Sequence, residues 1–226
     1  ATTGVVGTLT ANVDLDVEGD NGPLEFIGAA GGTELTIEDA AEGDISSIGG
    51  AGPVNLTVGN GTGTDTVDLT ATTLTNIGTV TINVGTTLSI NFDDADNIGA
   101  ENFIYEGVDG GATLNLVGLN DQVFALANYP EGLNVTLTLA ELPTVTLNPL
   151  TDLTGIDGLV IPEGTTLFLS MVQFQQLNDG GTLTGDGSVV ITGVTQESVG
   201  INGVDLDMDD VDLTGTLALN GADSTV

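Results

Sequence analysis

The chain has 226 residues with no lysine, arginine, histidine or cysteine, and its 33 aspartates and glutamates leave a formal charge of −33. This composition excludes catalysis by imidazole, thiolate or amine, leaves nothing to neutralise nucleic-acid phosphates, and removes disulfides and thiolate metal sites. A hydrophobic content of 40% with mean hydropathy +0.28 still supplies a sizeable core, so the chain is expected to fold with every carboxylate stabilised by water, backbone N–H groups or a bound cation.

In chain order, the first strand-like word is Thr8-Leu9-Thr10-Ala11-Asn12-Val13-Asp14, which runs into the acidic stretch Asp14-Leu15-Asp16-Val17-Glu18-Gly19-Asp20. As a strand, this stretch turns its aliphatics to one face and Asp14, Asp16 and Glu18 to the other, alternate residues about 6.8 Å apart. Like charges in such a ladder repel, and a divalent ion shared among the carboxylates reverses the sign of that term. Strand words follow at Thr33–Ile37, Val54–Val58, Leu74–Ile82 and Thr86–Ile90. Val80, Ile82 and Val84 alternate there with Thr79, Thr81 and Asn83 at the period of two that marks a strand. Between them, Asn60-Gly61-Thr62-Gly63-Thr64-Asp65-Thr66-Val67 matches the Gly-Gly-x-Gly-x-Asp-x-apolar calcium turn with Asn60 in the first Gly position. Asp65 is therefore a candidate ligand, against the reading of an ordinary glycine-rich turn.

Single helical turns are expected at Asp93–Ile98 and Ser170–Leu177, and the first carries the cluster Asp93, Asp94 and Asp96. Strand words continue at Thr113–Leu116, Leu133–Leu137 and Thr165–Leu167. The C-terminal part repeats the acidic strand as Val204-Asp205-Leu206-Asp207-Met208-Asp209-Asp210-Val211-Asp212, with a solvated polar face as the alternative to metal ligation. Tyr105, Tyr129 and Phe124 read as core or interface packing.

An internal repeat orders these words. Thr8–Asp14 aligns with Thr87–Asp93, and Leu74–Ile77 with Leu153–Ile156, at an offset of about 79 residues. The units run approximately over residues 1–73, 74–152 and 153–226 of one elongated repeat domain, 1–226. Within a unit, Gly-x-x-apolar-x-apolar recurs roughly every 21 to 32 residues, the length of one coil of stacked β structure. The expected fold is all-β, a parallel β-solenoid-like stack of about three repeats, favoured because two-residue hairpin turns are missing. Tandem β-sandwich modules are the alternative.

The words Leu74–Ile82, Gly85–Ile90 and Asp96–Asn102 resemble the Thr/Gly/Asn-rich strand repeats of bacterial surface-layer proteins and large secreted adhesins. That resemblance implies secretion to the cell surface, calcium-dependent folding and lateral self-assembly. Beginning at Ala1 without Met, the chain reads as a mature polypeptide whose leader has been removed, and it has no apolar run long enough for a spanning helix. The expected partners are copies of itself and a cell-surface glycan, with no nucleic acid and no membrane insertion. No enzymatic activity is expected. The one chemistry that two carboxylates alone support is glycoside hydrolysis, and 4% aromatic content with no Trp is poor material for sugar subsites. The functional expectation is a structural protein forming a layer, sheath or filament with calcium on its acidic clusters, the alternative being a spacer or ligand-binding segment of a calcium-dependent adhesin.

Overall fold

The structure, a computed structural model, describes residues 8–10, 24–105, 107, 111–125, 129–177, 181–193, 211–213 and 217–220, the first and the last two of these as backbone only. It divides into two compact units, residues 1–117 with 128–134, and residues 118–127 with 135–226. In chain order the strands are β1 Thr8–Thr10, β2 Leu24–Gly28, β3 Thr33–Ile37, β4 Ile45–Gly50, β5 Val54–Val58, β6 Asp65–Asp68, β7 Thr73–Leu74, β8 Ile77–Ile82, β9 Thr86–Asn91, β10 Phe103–Tyr105 and β11 Thr113–Leu119. They continue with β12 Asn134–Leu139, β13 Thr144–Thr146, β14 Gly158–Ile161, β15 Thr166–Ser170, β16 Thr182–Gly185, β17 Ser188–Thr192, β18 Val211–Leu213 and β19 Leu217–Asn220. Helices α1 Phe92–Ile98 and α2 Met171–Leu177 directly follow β9 and β15.

The fold is mostly β and its sheets are parallel. In the first unit the neighbours run β1-β3-β5-β8-β10, β2-β4-β7 and β6-β9-β11, and in the second β12-β14-β16-β18 and β13-β15-β17-β19. Each of these neighbours pairs in parallel, unlike the antiparallel pairs of a β-sandwich, and among the described residues no sheet closes into a barrel. Pairing skips strands along the chain. Leu35 of β3 is opposite Leu56 of β5 with β4 between them in sequence, and Val189 of β17 is opposite Leu217 of β19 with β18 between.

The core follows from the period-two pattern. Val54, Leu56 and Val58 are buried while Asn55 and Thr57 between them are half-buried. Parallel registry then sets apolar side chain on apolar side chain. Leu35, Leu56 and Val80 stack in one ladder, Val67, Leu88 and Leu114 in a second, and Val145, Leu167 and Val189 in a third. With adjacent strands about 4.8 Å apart, such side chains touch along the whole row. Burying each one contributes about 1.5–3 kcal/mol. Parallel sheets buried on both faces read as continuous apolar runs, so alternation in a parallel sheet means that one face only meets the core.

Glycine supplies the corners. Gly85 and Gly164 hold φ of 82° and 79° before β9 and β15, a conformation that costs an L side chain energy. The strand alternation through Ile82 accordingly stops short of Val84, which is 42% exposed where the chain turns. The two expected helical turns are present as short helices whose first residues, Phe92 and Met171, are separated by the same offset as the echo in the sequence. A buried threonine, Thr86 or Thr165, precedes each of them at that offset again. No helix among the described residues is long and apolar enough to cross a membrane.

Candidate functional site

The acidic candidates fall into three groups. Asp14, Asp16, Glu18 and Asp20, and likewise Asp205, Asp207, Asp209 and Asp210, lie outside the described residues. Asp212 sits on β18, its backbone paired opposite Thr184. Asp65 and the α1 cluster are described in full.

Asp65 opens β6 at the end of a tight loop. One carboxylate oxygen accepts the Asn60 backbone N–H at 2.6 Å and the other accepts the Asn60 side-chain amide at 3.4 Å. Asn60 Oδ1 in turn accepts from the backbone N–H and hydroxyl of Thr62. These bonds engage both Asp65 oxygens within the loop, so the residue closes the turn.

Asp93 and Asp94 occupy the first turn of α1, where the helix N-terminus favours negative charge, and Asp96 is exposed further along the helix. Burial, then the neighbouring Asp93, pushes the Asp94 carboxyl above its ordinary value. The matching slot in α2 holds a neutral side chain, and that helix has no acidic residue in its first turn. Gln173 is buried there, accepts the Ser170 N–H through Oε1 at 3.0 Å, and donates through Nε2 to the carbonyls of Asn148 (2.8 Å) and Thr151 (3.3 Å). Ser170 Oγ accepts the Gln173 N–H at 3.2 Å, which completes a capping box. An ionised aspartate at the matching place has no proton to donate. Among the described residues no three carboxylates converge to hold a metal ion.

A different constellation lies where α1 leads into β10. Ala100, Glu101, Phe103, Ile104, Tyr105, Tyr129 and Pro130 line a groove of about 410 Å³ within the first unit. Phe103 is buried and anchors it, its ring 5.5 Å from that of Tyr129 at an interplanar angle of 49°. Such tilted aromatic pairs contribute about 0.5–1.5 kcal/mol beyond burial. Burial, and then the charge of Asp96, pushes the Tyr129 phenol up to about 12. Registry with β8 sets the strand side of the groove, Phe103 opposite Val80 and Tyr105 opposite Ile82. Sequence alone marks Tyr105 and Tyr129 only as packing residues. The available signal was scarcity, since a chain with two tyrosines and no tryptophan places both tyrosines here.

No protein-family model, no curated protein and no solved structure matches the chain.

Proposed function

We propose that the chain is a secreted structural protein that assembles with copies of itself into an extracellular layer, sheath or filament. Its parallel strands are read as a β-solenoid-like stack of related repeats. The observation that carries this reading is the stacking of parallel apolar ladders in a molecule with no cationic side chain. The open edge of such a ladder offers backbone groups to a further strand, and the charge is screened by ions from the medium. Further support comes from exposed apolar side chains on the second unit. Val123, Leu150 and Val172 are 51%, 75% and 63% exposed on chain segments tied by the Ala125–Asp152 bridge and the Gln173 bonds. Large apolar side chains exposed on a polyanion favour contact with another molecule.

Calcium is assigned to the acidic ladders Asp14–Asp20 and Asp205–Asp212, where it bridges carboxylates within or between subunits, with Asp93, Asp94 and Asp96 as a weaker candidate set. Cell-surface glycan is a further partner on this reading. Electron microscopy of the purified chain with millimolar calcium and with excess chelator tests it. Ordered polymers are expected with calcium and their loss with chelator. Assemblies unchanged after exhaustive calcium removal would reject the metal, and dispersed folded monomers under both conditions would reject the polymer. A second reading, a spacer or ligand-binding segment of a large calcium-dependent adhesin, is favoured by the aromatic groove, which a purely structural subunit does not need.

A further inference from the structure

The groove beside β10 combines aromatic faces with negative charge. Tyr105 and Tyr129 present rings over the buried Phe103, Ala100, Ile104 and Pro130 present apolar walls, and the exposed Glu101 stands at its edge. A Cβ added at Gly99 would lie 3.0 Å from either Glu101 carboxylate oxygen, so the carboxylate folds back over the end of α1 beside the groove. Asp96, on the last turn of that helix, is close enough to act electrostatically on Tyr129.

The chemistry of this lining selects among occupants. An anion meets Glu101, Asp96 and a net charge of −33 with no cationic group to offset them. A hydrated inorganic ion gains from the carboxylates but not from apolar walls. A neutral sugar gains stacking and nothing from the charge. An organic cation gains from all three, because ring faces carry negative potential, the carboxylates add to it, and an aliphatic stem covers the apolar walls. This chain has no lysine or arginine, so the cation belongs to another molecule. We propose that the Phe103–Tyr105–Tyr129 groove, edged by Glu101, recognises an arginine side chain presented by a different protein. Arginine is preferred over lysine because its planar, weakly hydrated guanidinium stacks on a ring while its N–H groups reach a carboxylate. The assignment does not depend on polymerisation or on calcium.

With no tryptophan in the chain and both tyrosines in the groove, tyrosine fluorescence reports on this site alone. The test titrates the full chain with Nα-acetyl-arginine methylamide, with the uncharged citrulline analogue of the same shape, with sodium chloride at equal ionic strength, and with maltose. A saturable change is expected with arginine at half-saturation on the order of 1–10 mM. Citrulline should bind at least about tenfold more weakly, and salt should give no saturable response. Tyr129→Leu should abolish the response, and Glu101→Gln, an exposed change that leaves the core intact, should weaken it about three- to tenfold. Equal binding of the citrulline analogue, a response reproduced by sodium chloride, or an unaltered titration in Glu101→Gln would overturn the proposal. Saturation by maltose without saturation by arginine would overturn it in favour of a glycan site.

Discussion

Thr165 shows how a single side chain can be left unsatisfied in a well-packed core. Its hydroxyl is buried with no hydrogen-bond partner among the described residues, whereas Thr86, at the matching position ahead of the earlier helix, reaches the Val58 carbonyl at 3.4 Å. Stranding a hydroxyl costs about 1–3 kcal/mol, and valine has nearly the same shape. Thr165→Val is therefore expected to raise stability by about 1 kcal/mol, read from the urea midpoint; a loss of that size would show that the hydroxyl is bonded. Asp94 carries the opposite kind of cost, since burial and Asp93 raise its pKa in the folded state. Below the ordinary aspartate value of about 3.9 the carboxyl is protonated in both states and nothing is lost. As pH rises above that value the unfolded chain releases its proton first, and stability falls until the folded group has ionised too. Asp94→Asn should therefore be more stable than the parent at pH 7, with the gain vanishing below about pH 3.9. An equal gain at both pH values would assign the effect to packing instead.

Between elements, backbone can pack directly on backbone. Gly28 at the end of β2 pairs with Gly50 at the end of β4, and a Cβ on Gly50 would sit 2.6 Å from the Gly28 carbonyl oxygen and 2.8 Å from its Cα. Neither neighbour is the flexible end of a side chain, so the strands themselves would have to part. Gly50→Ala is expected to destabilise by about 1–3 kcal/mol through this overpacking, measured by thermal or urea unfolding. A neutral result would mean that β2 is free to move away from β4. The helices obey a similar logic of local satisfaction. The Ser170–Gln173 capping box starts α2 at a strand end, and Gln173 ties that start to carbonyls at Asn148 and Thr151. At α1, by contrast, Asn91 donates to the Thr70 carbonyl and makes no side-chain cap.

Across the molecule, the described ladders keep like charges apart. Glu25 is opposite Ser47, Glu34 opposite Thr8 and Asn55, Asp65 opposite Thr86, and Asp68 opposite Ser89. Among the described strands no carboxylate is registered on another. Parallel registry makes this arrangement necessary, since an acid repeated in each turn would form a row about 4.8 Å apart. Two such charges repel by roughly 0.9 kcal/mol in water and by several times more beside a low-dielectric core. Asn55→Asp would exchange the 2.9 Å bond from Asn55 to Glu34 for that repulsion. It should cost about 1–2 kcal/mol at low salt and distinctly less at about 1 M sodium chloride, in urea titrations at the two ionic strengths. A cost that ignores salt would assign the loss to the hydrogen bond alone.

Much of the local structure could be read from residue order. Val54, Leu56 and Val58 against Asn55 and Thr57 mark a strand with one buried face, glycine before Thr86 and Thr165 marks a corner, and the long-range echo in the sequence anticipates two matching helices. These features depend on short-range periodicity and backbone sterics, which are carried within a few residues. The absence of cationic groups, and every kind of chemistry that it forbids, is likewise a matter of composition. Which strand pairs with which was not legible, because a period of two names the face of a strand and says nothing of its neighbour. Parallel pairing of strands that do not follow one another in the chain was decided by how turns of unequal length bring apolar rows into contact. The groove was hidden for the same reason. Tyr105 and Tyr129 stand well apart in the chain, and only packing around β10 and Phe103 sets their side chains on one cavity beside Glu101.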